Sequence, residues 1–154
     1  MAYASDAELS HAATRLLELT DASSIFGCGT HPTTVARVSA TERRLDLHVA
    51  VDGSVASAAG VLDEGWAGIM ADNLTSILFI LFTGAMVHVS TALSLRTLAP
   101  VRPAVSGILV ECALDHAAQS LHATVVFRDA AHPETVYATA SHTKFLRPKQ
   151  PARI

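Results

Sequence analysis

The fold of this chain is decided by one stretch of sequence, VLDEGWAGIMADNLTSILFILF at residues 61–82. The stretch is apolar on almost every side when it is drawn as a helix, and Gly84 is expected to end it. A helix of that kind is normally buried in a protein core or a membrane. Asp72 is the one ionisable residue in its middle, and a buried carboxylate is costly unless it is paired, hydrogen-bonded or used. Asp72 is therefore the first candidate for chemistry.

The composition predicts one ordered globular domain over residues 1–154. Of the 154 residues, 50% are hydrophobic and 16% are charged, and the formal net charge is −3. No basic stripe indicates nucleic acid as a partner. The segment Leu74–Val89 could be a membrane span only if its polar residues and Gly84 are disregarded, so we expect no span.

The two cysteines and the first residues bear on location. Cys28 and Cys112 lie far apart and match no zinc or redox spacing, so both are expected to be plain thiols in a reducing compartment. The first residues carry Asp6 and Glu8, which is not typical of a signal or transit peptide. We therefore expect a cytoplasmic protein.

The hydrophobic pattern predicts two helices and six strands. The order is a helix, two strands, the long buried helix and then four antiparallel strands. The remaining elements are an N-terminal helix at about 6–19, two strands between 33 and 51 with a turn at 41–43, strands at 87–97, 105–115, 120–129 and 135–146, and a polar tail at 147–154. A curved antiparallel sheet wrapped around one long central helix accounts for this pattern, which places the chain in the α+β class.

Four ordered fragments carry a resemblance to a known family. They are Gly60-Val61-Leu62, Ala71-Asp72-Asn73 in the central helix, His88-Val89-Ser90-Thr91 on the next strand, and residues 140–146 with the sequence ASHTKFL. Together they resemble the hotdog-fold acyl-CoA thioesterases, specifically the small single-domain PaaI-like branch. The resemblance covers roughly residues 33–146 (the core of the domain).

The resemblance implies a hotdog fold and hydrolysis of an acyl thioester, carried on coenzyme A or on an acyl carrier protein. It also implies a homodimer or homotetramer with the active site at the dimer interface. No metal or redox cofactor is expected, since coenzyme A or pantetheine is part of the substrate and the eight histidines show no metal-ligand spacing.

The same resemblance assigns roles to particular residues. Asp72 takes the position of the catalytic carboxylate, which acts as a general base on water or as a nucleophile. Ser90 matches a serine that positions the water, and Ser57 lies where an asparagine is usual. Backbone N–H groups near Glu64 and Gly65 would polarise the carbonyl. Burial is expected to raise the pKa of Asp72 and suit it to act as a base.

The loop before the central helix departs from the family pattern. The usual His-Gly-Gly is Asp63-Glu64-Gly65 here. Two carboxylates at a helix N-terminus suit the helix dipole, but they oppose negative charge on a nearby thioester oxygen. Two alternatives therefore stay open: a dehydratase, lyase or cyclase that uses Glu64 with Asp72 on a polyketide-like substrate, and a protein that binds an acyl or aromatic ligand without turnover.

Four further residues are candidates for substrate binding, and each has an ordinary structural interpretation. Asn73 could satisfy a buried backbone group, and Asp63 could be an acid at the helix N-terminus. Trp66 could line an acyl pocket or belong to the core. Lys144 could meet the phosphates of coenzyme A or be a solvated surface charge.

Overall fold

The computed structural model describes residues 5–23, 33–53, 55–56, 59–84, 86–101, 105–116 and 119–146. These residues form two helices and six strands. In chain order they are α1 (Asp6–Ser23), β1 (Thr33–Ser39), β2 (Arg44–Ala50), α2 (Glu64–Thr83), β3 (His88–Thr97), β4 (Gly107–His116), β5 (Ser120–Asp129) and β6 (Val136–Leu146). The predicted order of elements is confirmed, and α1 extends four residues beyond its predicted end. Ser57 and the tail from residue 147 lie outside the described residues.

The six strands form one antiparallel sheet in the order β1-β2-β4-β5-β6-β3. Consecutive strands β4, β5 and β6 pair as a meander, whereas α2 carries the chain from β2 to β3 at the far side of β6. The sheet therefore ends at β3 on one side and at β1 on the other. Helix α1 contacts β1, and β3 has side chains that are exposed or only partly buried along its whole length.

Both ends of α2 are fixed by local chemistry. The side chain of Asp63 accepts a hydrogen bond from the amide of Trp66, which caps the N-terminus. Gly84 has the left-handed conformation (φ 67°), and its N–H donates to the carbonyl of Ile80. The helix therefore ends where Gly84 predicts, but it begins at Glu64 and not at Val61, since Leu62 forms a bridge with Ala56.

The core lies between α2 and the sheet. Leu74, Leu78 and Phe79 of the helix are fully buried, as are Val110, Val125 and Phe127 on the strands. Helix α2 is long and apolar enough to cross a membrane by length and composition, and 56% of its apolar window is buried inside the protein. That burial is what a core helix shows.

One side of α2 is not fully covered, which corrects the expectation of burial on nearly all sides. The partly exposed residues recur at helical spacing and form a stripe along the helix: Ile69, Asp72, Asn73, Ser76, Ile80 and Thr83. Asp72 lies in the middle of this stripe, and the side chains that contact it come from β3 and β6. The fold thus leaves the one mid-helix carboxylate accessible.

The described cysteine, Cys112, lies on β4 in the core with no exposed surface. Burial in apolar surroundings raises the pKa of its thiol well above the ordinary value. The prediction of a plain packed thiol is confirmed for Cys112, whereas Cys28 lies outside the described residues.

Candidate active site

Asp72 is the centre of a polar cluster between α2 and the edge of the sheet. Its side chain is 48% exposed, although it lies on the core helix. The partners come from one turn of α2 and from two strands, β3 and β6. The cluster consists of Asp72, Thr75, Ser76, Ser90, His142 and Lys144.

Lys144 forms an ion pair with Asp72. The Lys144 Nζ lies 2.7 Å from Oδ1 of Asp72, and the side chain of Lys144 is only 3% exposed. The same ammonium donates to Oγ of Ser76 at 2.5 Å and approaches the backbone carbonyl of Asp72 at 3.5 Å. The hydroxyl of Ser76 in turn donates to the carbonyl of Asp72 at 2.7 Å. This strand lysine is therefore held by a single turn of α2.

His142, which precedes Lys144 by two residues on β6, contacts the same turn of α2. Its ring is fully buried, and Nδ1 lies 2.6 Å from the hydroxyl of Thr75. That hydroxyl also lies 2.8 Å from the carbonyl of Ala71, which can only accept. A hydroxyl has one proton to donate, so the bond to Ala71 assigns the Nδ1–H tautomer to His142.

The other nitrogen of His142 faces Asp72. Its Nε2 has no hydrogen-bond partner among the described residues and lies 3.6 Å from Oδ1 of Asp72. In the Nδ1–H tautomer, Nε2 is an acceptor like Oδ1 of Asp72, so the two atoms form no hydrogen bond with each other. Their separation of 3.6 Å agrees with this tautomer. Burial, together with the charge of Lys144, lowers the pKa of His142 to about 4, against the opposing pull of Asp72. The imidazole is therefore neutral at physiological pH.

Ser90 completes the cluster from β3. Its hydroxyl donates to Oδ1 of Asp72 at 3.4 Å. Every contact described for the carboxylate of Asp72 thus involves Oδ1, from Lys144, Ser90 and the approaching ring of His142. Within the described part of the chain, Oδ2 is left for a water molecule or a substrate.

The expected rise in the pKa of Asp72 is wrong. Burial does raise the pKa, but the hydrogen bond and charge of Lys144, the charge that His142 takes up in acid and the hydrogen bond from Ser90 outweigh it and leave the pKa below its ordinary value. Burial lowers the pKa of Lys144 against the opposing effect of Asp72. Asp72 is consequently ionised at neutral pH and is a weaker base than a desolvated, unpaired aspartate.

The predicted carbonyl-binding residues lie at the N-terminus of the helix, about two turns before Asp72. Asp63 caps α2, since its Oδ1 accepts from the amide of Trp66 at 2.6 Å. The carboxylate of Glu64 accepts from the hydroxyl of Thr97 on β3 at 2.9 Å. The first amides of a helix, here those of Glu64 and Gly65, have no acceptor within the helix and can donate to a ligand. The carboxylate of Asp63 shares this end of the helix with them.

Two of the predicted binding residues, Trp66 and Lys144, have their side chains buried and directed at other protein groups. Trp66 is 6% exposed and packs edge-on against Phe127, with ring centroids 6.0 Å apart, so it belongs to the core. Lys144 is neither a surface charge nor directed at solvent, because Asp72 and Ser76 hold it. Asn73 is partly exposed beside Asp72.

Thr75, Ser76 and His142 are not singled out in the sequence analysis. A signal was present, because Thr75 and Ser76 follow Asp72 at spacings of three and four residues on one helix face. His142 and Lys144 likewise alternate onto the same face of β6. The sequence did not show which strand residues would meet which helical turn.

No metal site is apparent in the described residues, where no three His, Cys, Asp or Glu side chains come close enough together to hold an ion. An open depression lies instead on the sheet, lined by residues of β3, β5 and β6 that include Ser94, Arg96, Thr139 and Ser141. The residues that line it do not include Asp72.

Comparison with solved structures identifies the architecture. Zebrafish thioesterase superfamily member 2 has a TM-score of 0.73 at 16% identity, over 94% of this chain and 100% of that protein. The Escherichia coli PaaI protein from the phenylacetic acid degradation operon has a TM-score of 0.68 at 11% identity, over 90% of this chain and 96% of its own. The chain has the hotdog fold.

A third similar structure was solved with a ligand. A Streptococcus mutans protein bound to acetyl-CoA has a TM-score of 0.60 at 16% identity, over 74% of this chain and 89% of that one. No protein-family profile matches the sequence, and no curated protein matches it. The similar structures establish the fold that the resemblance implied, at identities too low to transfer a reaction.

Proposed function

We propose that the protein hydrolyses an acyl thioester carried on coenzyme A or on an acyl carrier protein, with Asp72 as the reactive carboxylate. One observation carries the proposal: an ionised, half-exposed carboxylate in the middle of the central hotdog helix, with one oxygen held by Lys144 and Ser90. Thioesterases of the same fold, and a structure of that fold with acetyl-CoA bound, support this substrate class.

The chemistry follows from the geometry of Asp72. Its Oδ2 accepts a proton from water as the water oxygen attacks the thioester carbonyl carbon. Amide N–H groups at a helix N-terminus stabilise the negative charge that forms on the carbonyl oxygen. The carbon–sulfur bond then breaks, the thiolate takes up the proton, and a carboxylic acid and a free thiol leave. In direct attack, a carboxylate oxygen of Asp72 displaces the thiolate and forms a mixed anhydride; water then hydrolyses the anhydride, which frees Asp72 and the carboxylic acid, and the thiolate takes up the released proton.

The proposed reaction needs groups from two chains. Glu64 and Asp72 are eight residues apart on α2, which is about 12 Å along the helix axis. One thioester carbonyl group cannot contact both the helix N-terminal amides and the carboxylate of Asp72 in the same chain. The proposal therefore takes the amides and the carboxylate from different subunits. The open edge strand β3 runs beside Asp72 and carries exposed Val89 and Leu93. We therefore propose a homodimer that joins two sheets along β3.

The dehydratase, lyase or cyclase alternative is the second candidate. It requires Glu64 to work with Asp72, and since Glu64 is bonded to Thr97 and lies about two helical turns away within one chain, this reaction would also need residues of two subunits. Product analysis separates the reactions, because only hydrolysis releases a thiol. Ligand binding without turnover of any thioester would indicate the binding protein.

The test is a thiol-release assay on purified protein with short, long and aromatic acyl-CoA substrates and an acyl carrier protein. Release with at least one substrate is expected, and its absence with all of them would contradict hydrolysis. Light scattering during size exclusion should give a dimer or tetramer mass. A monomer that hydrolyses thioesters would contradict the shared site. A cytoplasmic location stays a prediction.

A further inference from the structure

We propose that Lys144 is a positioning residue that anchors Oδ1 of Asp72 and thereby presents Oδ2 as the reacting oxygen. This role goes beyond a lysine that binds substrate, and it rests on the proposed function only in assigning a reaction to Asp72. The two oxygens of a carboxylate are chemically equivalent until something distinguishes them. Here the ion pair, the contact with Ser90 and the approach of His142 all involve Oδ1.

The hydrogen bonds of Lys144 show that it faces inward. An ammonium carries three N–H donors, and Lys144 has three acceptors within reach on one turn of α2. They are Oδ1 of Asp72 at 2.7 Å, Oγ of Ser76 at 2.5 Å and the carbonyl of Asp72 at 3.5 Å. With the side chain 3% exposed, no donor remains for a coenzyme A phosphate.

The surroundings of Asp72 make Lys144 its main charged partner. The groups that lower the pKa of Asp72 are Lys144 and His142 on β6 and the hydroxyl of Ser90 on β3. His142 is neutral at physiological pH and is influenced in turn by His88 of β3. Among the described residues, the other elements packed on α2 (α1, β4 and β5) place no charged side chain among the groups that act on Asp72.

The anchor has a mechanical consequence. The side chain of an aspartate can rotate around two bonds, so a half-exposed carboxylate would sample several orientations in water. The ion pair from β6 fixes one orientation across the helix–sheet boundary. A displacement of about 1 Å at a reacting group can cost on the order of 100-fold in rate, so this restraint would matter for turnover.

The first experiment measures the protonation of Asp72 in the absence of substrate. Carboxyl ¹³C NMR follows the pH titration of Asp72, which is assigned by its absence in Asp72→Asn. The proposal expects wild-type Asp72 to titrate below the ordinary aspartate range. Lys144→Met, which keeps the length of the side chain and removes the charge, should move the midpoint to higher pH, because the hydrogen bond and the charge of Lys144 both lower the pKa of Asp72.

Ser76→Ala is the matched control, because it removes one acceptor of Lys144 and leaves the ion pair in place. Its Asp72 should still titrate below the ordinary range. If Lys144→Met does not fold, the wild-type titration still decides, since an Asp72 midpoint at or above the ordinary value overturns the anchor. An unchanged midpoint in folded Lys144→Met overturns it as well.

The second experiment separates positioning from phosphate binding. Lys144→Met is assayed with an acyl-CoA and with the matching acyl-pantetheine, which has no phosphate. Positioning predicts a loss of kcat on the order of 10- to 100-fold with both substrates. It also predicts that the acid limb of the kcat/KM profile moves to higher pH. A rise in KM confined to the acyl-CoA would overturn the proposal.

The two experiments distinguish this inference from the proposed function. Wild-type protein without thioesterase activity but with a low Asp72 midpoint that depends on Lys144 would refute hydrolysis and support the anchor. Activity that depends on Asp72, with a pH profile and kcat unaffected by Lys144→Met, would support hydrolysis and refute the anchor.

Discussion

Asp72 and Lys144 are 72 positions apart in the sequence and form an ion pair 2.7 Å long between the central helix and the last strand. The pair places one negative and one positive charge side by side, so the helix carries a carboxylate in its middle without an uncompensated charge. It also keeps Asp72 ionised to lower pH than an isolated aspartate. Three further contacts, made by His142, Tyr137 and Asp63, lead to tests of their own.

His142 is expected to stay neutral throughout the physiological pH range. Its pKa of about 4 results from burial and the nearby ammonium of Lys144. ¹⁵N and ¹³C NMR of the ring should show the Nδ1–H tautomer at neutral pH and no titration above pH 5, with the resonance assigned from His142→Asn. A ring that titrates near the ordinary histidine value would contradict the structure.

The same shift makes stability depend on pH. In the unfolded chain His142 takes up a proton near its ordinary pKa of about 6.5, whereas in the folded protein it does so near 4. Its contribution to the free energy of unfolding is therefore complete above the unfolded pKa and decreases as the pH falls to the folded pKa. Urea unfolding of wild type and His142→Asn across this window measures the difference, which should be flat at higher pH.

Tyr137→Phe is expected to destabilise the β5–β6 hairpin. The fully buried Tyr137 donates its hydroxyl to Oδ2 of Asp129 at 2.7 Å, while Oδ1 of Asp129 accepts from the amides of Ala131 and His132. Loss of a hydrogen bond to a charged group costs about 1.5 to 3 kcal/mol, so the free energy of unfolding should fall by that order. Chemical denaturation measures it.

The effect of Tyr137→Phe should disappear in acid. The hydrogen bond from Tyr137 lowers the pKa of Asp129 in the folded protein. The resulting stabilisation is present above the unfolded pKa of an aspartate and is lost as the pH falls through the lower folded value. The difference in the free energy of unfolding between wild type and Tyr137→Phe should therefore become smaller below about pH 4. A gap that does not change with pH would show that Tyr137 acts by packing alone.

Asp63→Asn is expected to speed hydrolysis. Asparagine caps a helix as well as aspartate does, so α2 should begin at the same place. The substitution removes one negative charge from the end of the helix that is proposed to stabilise the oxyanion. A charge at a helix terminus is worth about 0.3–1 kcal/mol, which corresponds to about a two- to five-fold increase in kcat.

Asp63→Ala is the companion variant, since it removes both the charge and the cap and should cost about 1 kcal/mol of stability. A lower kcat in Asp63→Asn, with α2 intact by circular dichroism, would mean that the carboxylate itself takes part in the reaction.

The sequence was sufficient for the fold because the decisive signals are local. The apolar run of α2, the glycine at its end and the alternation of the six strands each depend on neighbouring residues. They gave the correct order of elements, with most strand ends within two residues. The exact start of α2 was wrong because Leu62 pairs with Ala56, and the capping aspartate is Asp63.

The site was only partly predictable for the opposite reason. Asp72 and Ser90 could be singled out from the resemblance, and the structure brings them to 3.4 Å. The pairing of Lys144 with Asp72 and of His142 with Thr75 depends on how β6 crosses α2, a long-range relationship that periodicity does not encode. The direction predicted for the pKa shift of Asp72 was wrong because it rests on burial alone, which the effects of Lys144, His142 and Ser90 outweigh.

The most direct test of the central claim is thiol release by Asp72→Asn beside wild type and Asp115→Asn. Asp115 lies at the end of β4 with a side chain 48% exposed, as exposed as that of Asp72, and it lies 4.0 Å from His122, so it is a matched carboxylate on another strand. We expect Asp72→Asn to lose at least about 100-fold in kcat, the usual contribution of a general base, while Asp115→Asn keeps the wild-type rate. Full activity in a folded Asp72→Asn would contradict the assignment of Asp72 as the reactive carboxylate.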